Sequence, residues 1–462
     1  MRRRTRTASA VAVLALLIGA CTDGGTGSPI PPPDTPTSSA PVPSSPETVS
    51  PADQGPDSAA AAARRLCEVP EPDPSGGSDV PAEGPTPPVI EEVMRQVEEI
   101  RGFDYSKPVV AEPVSQSEIA KDLTEYADIA YPKEQMARRS LAWATIGVIP
   151  EGTSLREVYE EYGSTQVIGY YDTLTGELKF LGTQDPSPLE RITLAHELTH
   201  AIDDQRFGLE KLDVLSAECR DEEVAAAVAL VEGNATFFML RWAQAYLTPE
   251  EQVEVGVEAA LQDTSTGDIP PFVLRLQVWS YDVGLRFITA LSSQGGVDAI
   301  DQALAGPPIS TEQIIHPERY PNDAPTPMDV PDLSAALGEG WEDLDVMTIG
   351  ESWLQIALGL RLDGAQASNA AAGWDGGTYR AWTDGEEAAV GLSTVWDSEQ
   401  DASEFATAMI SWIDQGDDHG AVVGPDGTSV QVMFASDEAT LGELQAPPHS
   451  GVLPSGRRQA AP

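Results

Sequence analysis

This sequence is short of positive charge, of cysteine, of histidine and of long apolar runs. Across 462 residues, 27 Lys and Arg face 74 Asp and Glu, a formal net charge of −47. A surface of that sign repels nucleic-acid phosphates and anionic headgroups, so no nucleic-acid partner is expected. Its uses are solubility outside the cell or attraction of basic substrates. No uncharged apolar run beyond the N-terminal leader is long enough for a bilayer, so no internal membrane span is expected. No fixed-period repeat is present. Apolar types still make up 41% of the chain, enough for a sizeable core.

The three cysteines are Cys21, Cys67 and Cys219. Cys21 follows a leader in which Arg2, Arg3, Arg4 and Arg6 form a positive segment. Ala8 to Ile18 is an apolar segment too short to span a bilayer comfortably. Ile18-Gly19-Ala20-Cys21 then resembles a bacterial lipobox, where small residues fit the signal peptidase and the Cys thiol receives lipid. The resemblance implies a signal peptide over residues 1–20 and a lipid-modified Cys21. It also implies membrane attachment through that lipid, on the extracytoplasmic face of a bacterial cell membrane. An ordinary signal peptide with Cys at its cleavage site is the plainer alternative. With Cys21 consumed by lipid, Cys67 and Cys219 are an even pair that an exported protein can oxidise to one disulfide. Two buried free thiols are the other reading.

From residue 21 to 88 the chain is mostly Pro, Ser, Thr and Gly, a largely disordered tether interrupted by an Ala-rich piece around Cys67. Ile90, Val93, Val97 and Ile100 then have helical spacing, and Gly102 stops that helix. Helices are expected over Ser117–Tyr131 and Lys133–Thr145. A β-rich run, Gln166–Asp172, a turn at Thr173–Gly176 and a return strand, Glu177–Gly182, follow. Ser187, Pro188 and Glu190 supply the N-cap, first position and capping-box acid of the next helix, which Gly208 ends after about Phe207. Further helices are expected from about Asp221 to Tyr246, over Phe272–Gln294 and over Gly296–Ala305. Residues 343–445 read as a small α/β module, with helices Glu351–Leu362 and Asp401–Ile413 and strands near Ala388–Trp396 and Val430–Phe434. Residues 446–462 read as a disordered tail.

Only five His occur, and two stand four apart in His196-Glu197-Leu198-Thr199-His200, in the middle of the capped helix. Positions i and i+4 share a helix face, so two imidazoles can bind one Zn²⁺ at ~2.0–2.1 Å each. Glu197 falls beside such an ion, placed to take a proton from water and pass it to a leaving amine. Two idle His on a solvated face are the alternative. A third ligand is needed. Asp203 and Arg206 stand where a metzincin has Gly and His, so that pattern fails. Glu232 is the only charged residue between Val224 and Leu240, a stretch apolar or small nearly all round. A lone buried carboxylate needs a partner. Two imidazoles and a divalent cation would supply one; Arg241 is the rival. Gly233 beside it permits close helix approach. Glu222 and Glu223 are weaker candidates, because acids at a helix start are explained by its dipole. Asp203 and Asp204 can orient an imidazole through its second nitrogen, or simply form an acidic turn. His316 and Tyr281 are candidate donors to an oxyanion, or packed side chains. His419 and His449 are assigned no role.

Leu194-Ala195-His196-Glu197-Leu198-Thr199-His200, followed by Leu230-Val231-Glu232-Gly233-Asn234-Ala235, resembles the gluzincin class of zinc peptidases. More closely it resembles bacterial H-E-x-x-H lipoproteins. The resemblance implies His196, His200 and Glu232 as zinc ligands and Glu197 as general base. It further implies an extended substrate paired with Gln166–Tyr171 or its hairpin partner. The expected fold is α+β: a mostly helical, zincin-like catalytic region with a small β-sheet over residues 89–332, then the C-terminal α/β module. The expected activity is hydrolysis of a peptide bond in an exported protein or peptide. The rival is a non-catalytic envelope lipoprotein with a structural zinc site or a partner-binding role. An intact Glu197 argues against it, because structural zinc needs no base.

Overall fold

A computed structural model describes residues 11–13, 58–70, 87–173, 175–261 and 267–445. Cys21, most of the expected tether, His449 and the tail lie outside the described residues. The first part of the chain contains β1 (Val11–Val13), α1 (Ala59–Leu66), α2 (Pro88–Arg101), β2 (Val110–Val114), α3 (Gln116–Ala130), α4 (Lys133–Ile146), α5 (Leu155–Gln166), β3 (Gly169–Tyr171) and β4 (Glu177–Leu181). A helical stretch follows: α6 (Pro188–Phe207), α7 (Lys211–Ala217), α8 (Asp221–Tyr246), α9 (Pro249–Leu261), α10 (Pro271–Ala305), α11 (Thr311–Ile315) and α12 (Ser334–Leu337). The last part holds β5 (Glu342–Thr348), α13 (Glu351–Leu358), α14 (Gly364–Ala371), β6 (Trp374–Thr383), β7 (Ala388–Trp396), α15 (Glu399–Asp414), β8 (His419–Asp426), β9 (Ser429–Ala435) and α16 (Glu438–Gln445). The fold is α+β, with helices predominant and two separate sheets.

Local chemistry sets many of these boundaries. The Ser187 hydroxyl accepts from the Glu190 N–H while the Glu190 carboxylate accepts from the Ser187 N–H, a closed capping box at the start of α6. Gly208 ends that helix at φ 68°. α10 leaves helical geometry at Gly295–Gly296, the join between the two expected helices. Gln166 departs from expectation. It closes α5, a helix absent from the sequence reading, and the strand begins only at Gly169. β6 is likewise an addition. Gly376 and Gly377 near its start are ordinarily loop markers, but here the strand is buried between neighbours β5 and β7.

The first sheet has the order β1-β3-β4-β2. β3 and β4 form the antiparallel hairpin, β2 runs parallel to β4, and β1 pairs antiparallel with the outer edge of β3, Val13 opposite Gly169. α6 packs on this sheet. The second sheet is antiparallel throughout, in the order β5-β6-β7-β9-β8. It does not stand apart from the rest. Trp143, Leu155 and Phe272 share one core cluster with Trp353, Trp374 and Phe405. Arg139, buried on α4, pairs with Asp221 at 2.6 Å and with Asp345 of β5 at 3.1 Å. Cys67 and Cys219 are disulfide-bonded, with Cα atoms 5.9 Å apart. The bond ties the segment carrying α1 to the turn before α8.

α8 is long and apolar enough to cross a bilayer by length and composition. In this fold it is a core helix, with Leu230, Phe238 and Trp242 buried against α6 and α10 and their surroundings. Its crossing with α10 is backbone against backbone. A Cβ added at Gly284 would lie 2.0 Å from the Ala229 carbonyl oxygen, and one at Gly233 would lie 2.1 Å from the Gly284 carbonyl carbon. That approach brings together the turns carrying Glu232 and Tyr281. Gly284→Ala is therefore expected to push the helices apart and destabilise the protein by about 1–3 kcal/mol. Urea unfolding measures this; an unchanged midpoint would mean the crossing has slack.

Candidate metal centre

His196 and His200 lie one turn apart on α6, both 2% exposed, and Glu232 on α8 is 1% exposed. Their ligating atoms converge. His196 Nε2 is 3.1 Å from His200 Nε2 and 3.2 Å from Glu232 Oε2, and His200 Nε2 is 3.5 Å from the same oxygen. Three ligands about 2.0–2.1 Å from one tetrahedral ion are separated by about 3.3–3.4 Å, so the observed triangle has the size such an ion requires. Burial lowers the His196 pKa and outweighs Glu232, which favours neutral imidazole. Burial opposes ionisation of Glu232, but His200 and His196 outweigh it and hold the carboxyl below its ordinary range. Neutral imidazole and carboxylate are the forms that bind metal. These three residues can hold a metal ion. Arg241, the rival partner for Glu232, instead lies over the Phe237 ring at 5.6 Å.

Glu197 sits beside this triangle and is itself 1% exposed. Its Oε2 is buried with no hydrogen-bond partner. Burial, and then the neighbouring Glu232 charge, push its pKa well above the ordinary carboxylate value. Room for the other oxygen comes from Gly169 on β3, where an added Cβ would stand 2.9 Å from Glu197 Oε1. The hairpin strand β3 and helix α6 are thus fitted to each other at this carboxylate.

The residues expected around the centre divide. Tyr281 is there: its ring stacks beside His196 with centroids 6.3 Å apart. Asp203 and Asp204 are near in sequence but do not serve the imidazoles. Asp203 takes Arg101 Nε at 2.6 Å and Asn234 Nδ2 at 2.5 Å. Asp204 takes the Tyr171 hydroxyl at 2.9 Å and the Leu209 N–H at 2.8 Å. Buried Arg101 draws Asp203 away, and the Asn234 bond ties α6 to α8 two residues beyond Glu232. His316 is not at the centre either. Its Nε2 lies 3.0 Å from Glu351 Oε1, a bond that raises its pKa above the ordinary imidazole value. That pair lies near the start of α8, where Glu222 accepts from the Thr311 N–H and hydroxyl and where Thr311 in turn accepts from Ser352 N–H. Glu222 precedes Glu232 by about 15 Å along the helix.

One residue escaped the sequence reading. The Tyr162 hydroxyl on α5 is buried without a hydrogen-bond partner, and its pKa is raised by burial first and by the Glu232 charge second. The signal was present: Ser154 and Glu157 make the S-x-x-E start of a helix that buries Leu155, Val158 and Tyr162 on one face.

Comparisons with known proteins add little at this centre. A family profile described as a domain of unknown function (DUF8575) matches residues 340–447. Those residues carry the second sheet and none of the three ligating groups. No curated protein matches the chain. A solved structure from Chloroflexus aurantiacus, described as a hydrolase candidate with a novel fold, aligns at 15% identity and a TM-score of 0.33. The alignment covers 56% of this chain and 95% of that one.

Proposed function

We propose that this protein is a zinc-dependent peptidase, attached through lipid on Cys21 to the extracytoplasmic face of a bacterial membrane. The observation that carries the reading is the buried triangle of His196, His200 and Glu232 with an unpartnered Glu197 oxygen beside it. Among the described residues the group has three members, the number that leaves a catalytic site an open position, whereas structural zinc is closed by four. Nitrogen and oxygen donors suit zinc. Zinc held by His196, His200 and Glu232 would supply Lewis acidity, lowering the pKa of a water toward neutral and polarising the peptide carbonyl. The chain's own groups do the rest. A divalent cation at the triangle would offset the burial and the Glu232 charge that favour protonated Glu197, and the carboxylate would then accept the proton of the attacking water and return it to the leaving nitrogen. The Tyr162 hydroxyl, buried without a partner among the described residues, is a donor for the carbonyl oxygen as it gains charge, and Tyr281 stands beside His196. The outer edge of β3 pairs antiparallel with Val11–Val13 of the leader, which maturation at Cys21 would remove, and an edge that takes such a strand supports docking of an extended peptide past Gly169 and Glu197.

The purified mature protein is expected to contain one zinc per chain and to cleave an unfolded protein substrate. A chelator should stop cleavage and added zinc restore it. Metal analysis and a gel assay suffice. Zinc-loaded protein that cleaves nothing in a broad peptide library would leave a structural metal as the better account.

A further inference from the structure

α8 is buried along most of its length, yet Asp221, Val224, Ala225 and Val228 remain partly open. With Glu232 they form one helical stripe. The stripe lines a cavity of about 370 Å³, along about 16 Å of helix from Glu232 to Asp221. Tyr131, Trp143 and Tyr159 wall one side; Trp279 of α10 and Met347 and Trp353 of the C-terminal part wall the other. Arg139 lines the far end, but its guanidinium is already paired with Asp221 and Asp345. Aromatic and aliphatic side chains predominate in the lining over charged ones such as Asp213, Arg220 and Glu222, which suits an apolar guest.

We propose that this cavity is the subsite for a large apolar or aromatic side chain beside the scissile bond, and that the C-terminal part reads it through Met347 and Trp353. The word scissile rests on the peptidase reading; binding of the side chain does not. Glu232 is shared by the centre and the cavity lining, so a peptide held at the centre has the cavity within reach of its neighbouring side chain. Residues between Met347 and Trp353 line that cavity, which gives the matched family region a task at the site without a ligand or a base of its own. The shared core and the Arg139 pairs hold the wall in place.

The test uses zinc-loaded Glu197→Gln protein, so that peptide is bound and not consumed. Blocked tetrapeptides identical except for one position, Phe against Ser, are titrated while tryptophan fluorescence is followed, since Trp143, Trp279 and Trp353 line the cavity. The Phe peptide is expected to bind about tenfold or more tightly than the Ser peptide. Val228→Phe and Ala225→Leu, which fill the floor, should erase the difference, and Trp353→Ala should reduce it. Thermal unfolding and zinc content identify which variants remain folded. Equal affinity for the two peptides, or a preference that survives in both filled variants, overturns the proposal. Cleavage by the wild-type protein is scored separately. A Phe preference in binding without chelator-sensitive cleavage keeps the cavity and removes the peptidase reading. Chelator-sensitive cleavage without the preference does the reverse.

Discussion

Glu197→Gln is expected to hold as much zinc as the wild-type protein and to cleave about 10²–10⁴-fold more slowly. The reason is a division of labour between neighbours on one helix. His196 and His200 point their Nε2 atoms at Glu232, and Glu197 takes no part in that triangle. Its unpartnered Oε2 is the basic group left over at the centre. Gln keeps the shape against Gly169 and some hydrogen bonding, so the fold and the ligands should not move. It cannot accept a proton from water and return it to nitrogen. Metal analysis alongside initial rates reads both halves of the prediction. Equal rates for the two proteins would remove Glu197 as the base, and loss of zinc would make it a ligand instead.

Glu232→Gln is expected to lose metal while Glu222→Gln keeps it. Both are buried acids on α8, and burial raises Glu222 to about 8. Their partners decide the contrast. Glu232 Oε2 stands 3.2 and 3.5 Å from two imidazole nitrogens, whereas Glu222 is held by Thr311. Replacing a carboxylate ligand by an amide removes a charge that the cation site requires. The expected loss of affinity exceeds the about 10–100-fold that follows from deleting an outer hydrogen-bond partner. Titration with zinc against a competing chelator measures it. Equal affinity in Glu232→Gln and wild type would take Glu232 out of the ligand set.

Much of the centre was legible before any coordinates because its signals are local. The His196–His200 spacing places two imidazoles on one face of any α-helix, and Ser187, Pro188, Glu190 and Gly208 mark where that helix starts and stops. Glu232 stood out as a lone acid in an apolar helix, since burial of a carboxylate demands a partner whatever the fold. Gly233 announced a close approach, although not that Gly284 would be the surface met. The tertiary structure decided what local rules cannot, namely which distant group wins each polar atom. Asp203 follows Arg101, and the partly open His316 follows buried Glu351, because packing brings together segments far apart in the chain. Tyr162 reaches the Glu232 neighbourhood only through the packing of α5, and the cavity beside α8 exists only because the second sheet shares a core with the helices. Helical periodicity and capping depend on neighbours within a turn or two and are written in the sequence. Charge pairing and cavity walls depend on how elements pack, and that is settled when the whole chain buries its apolar surface.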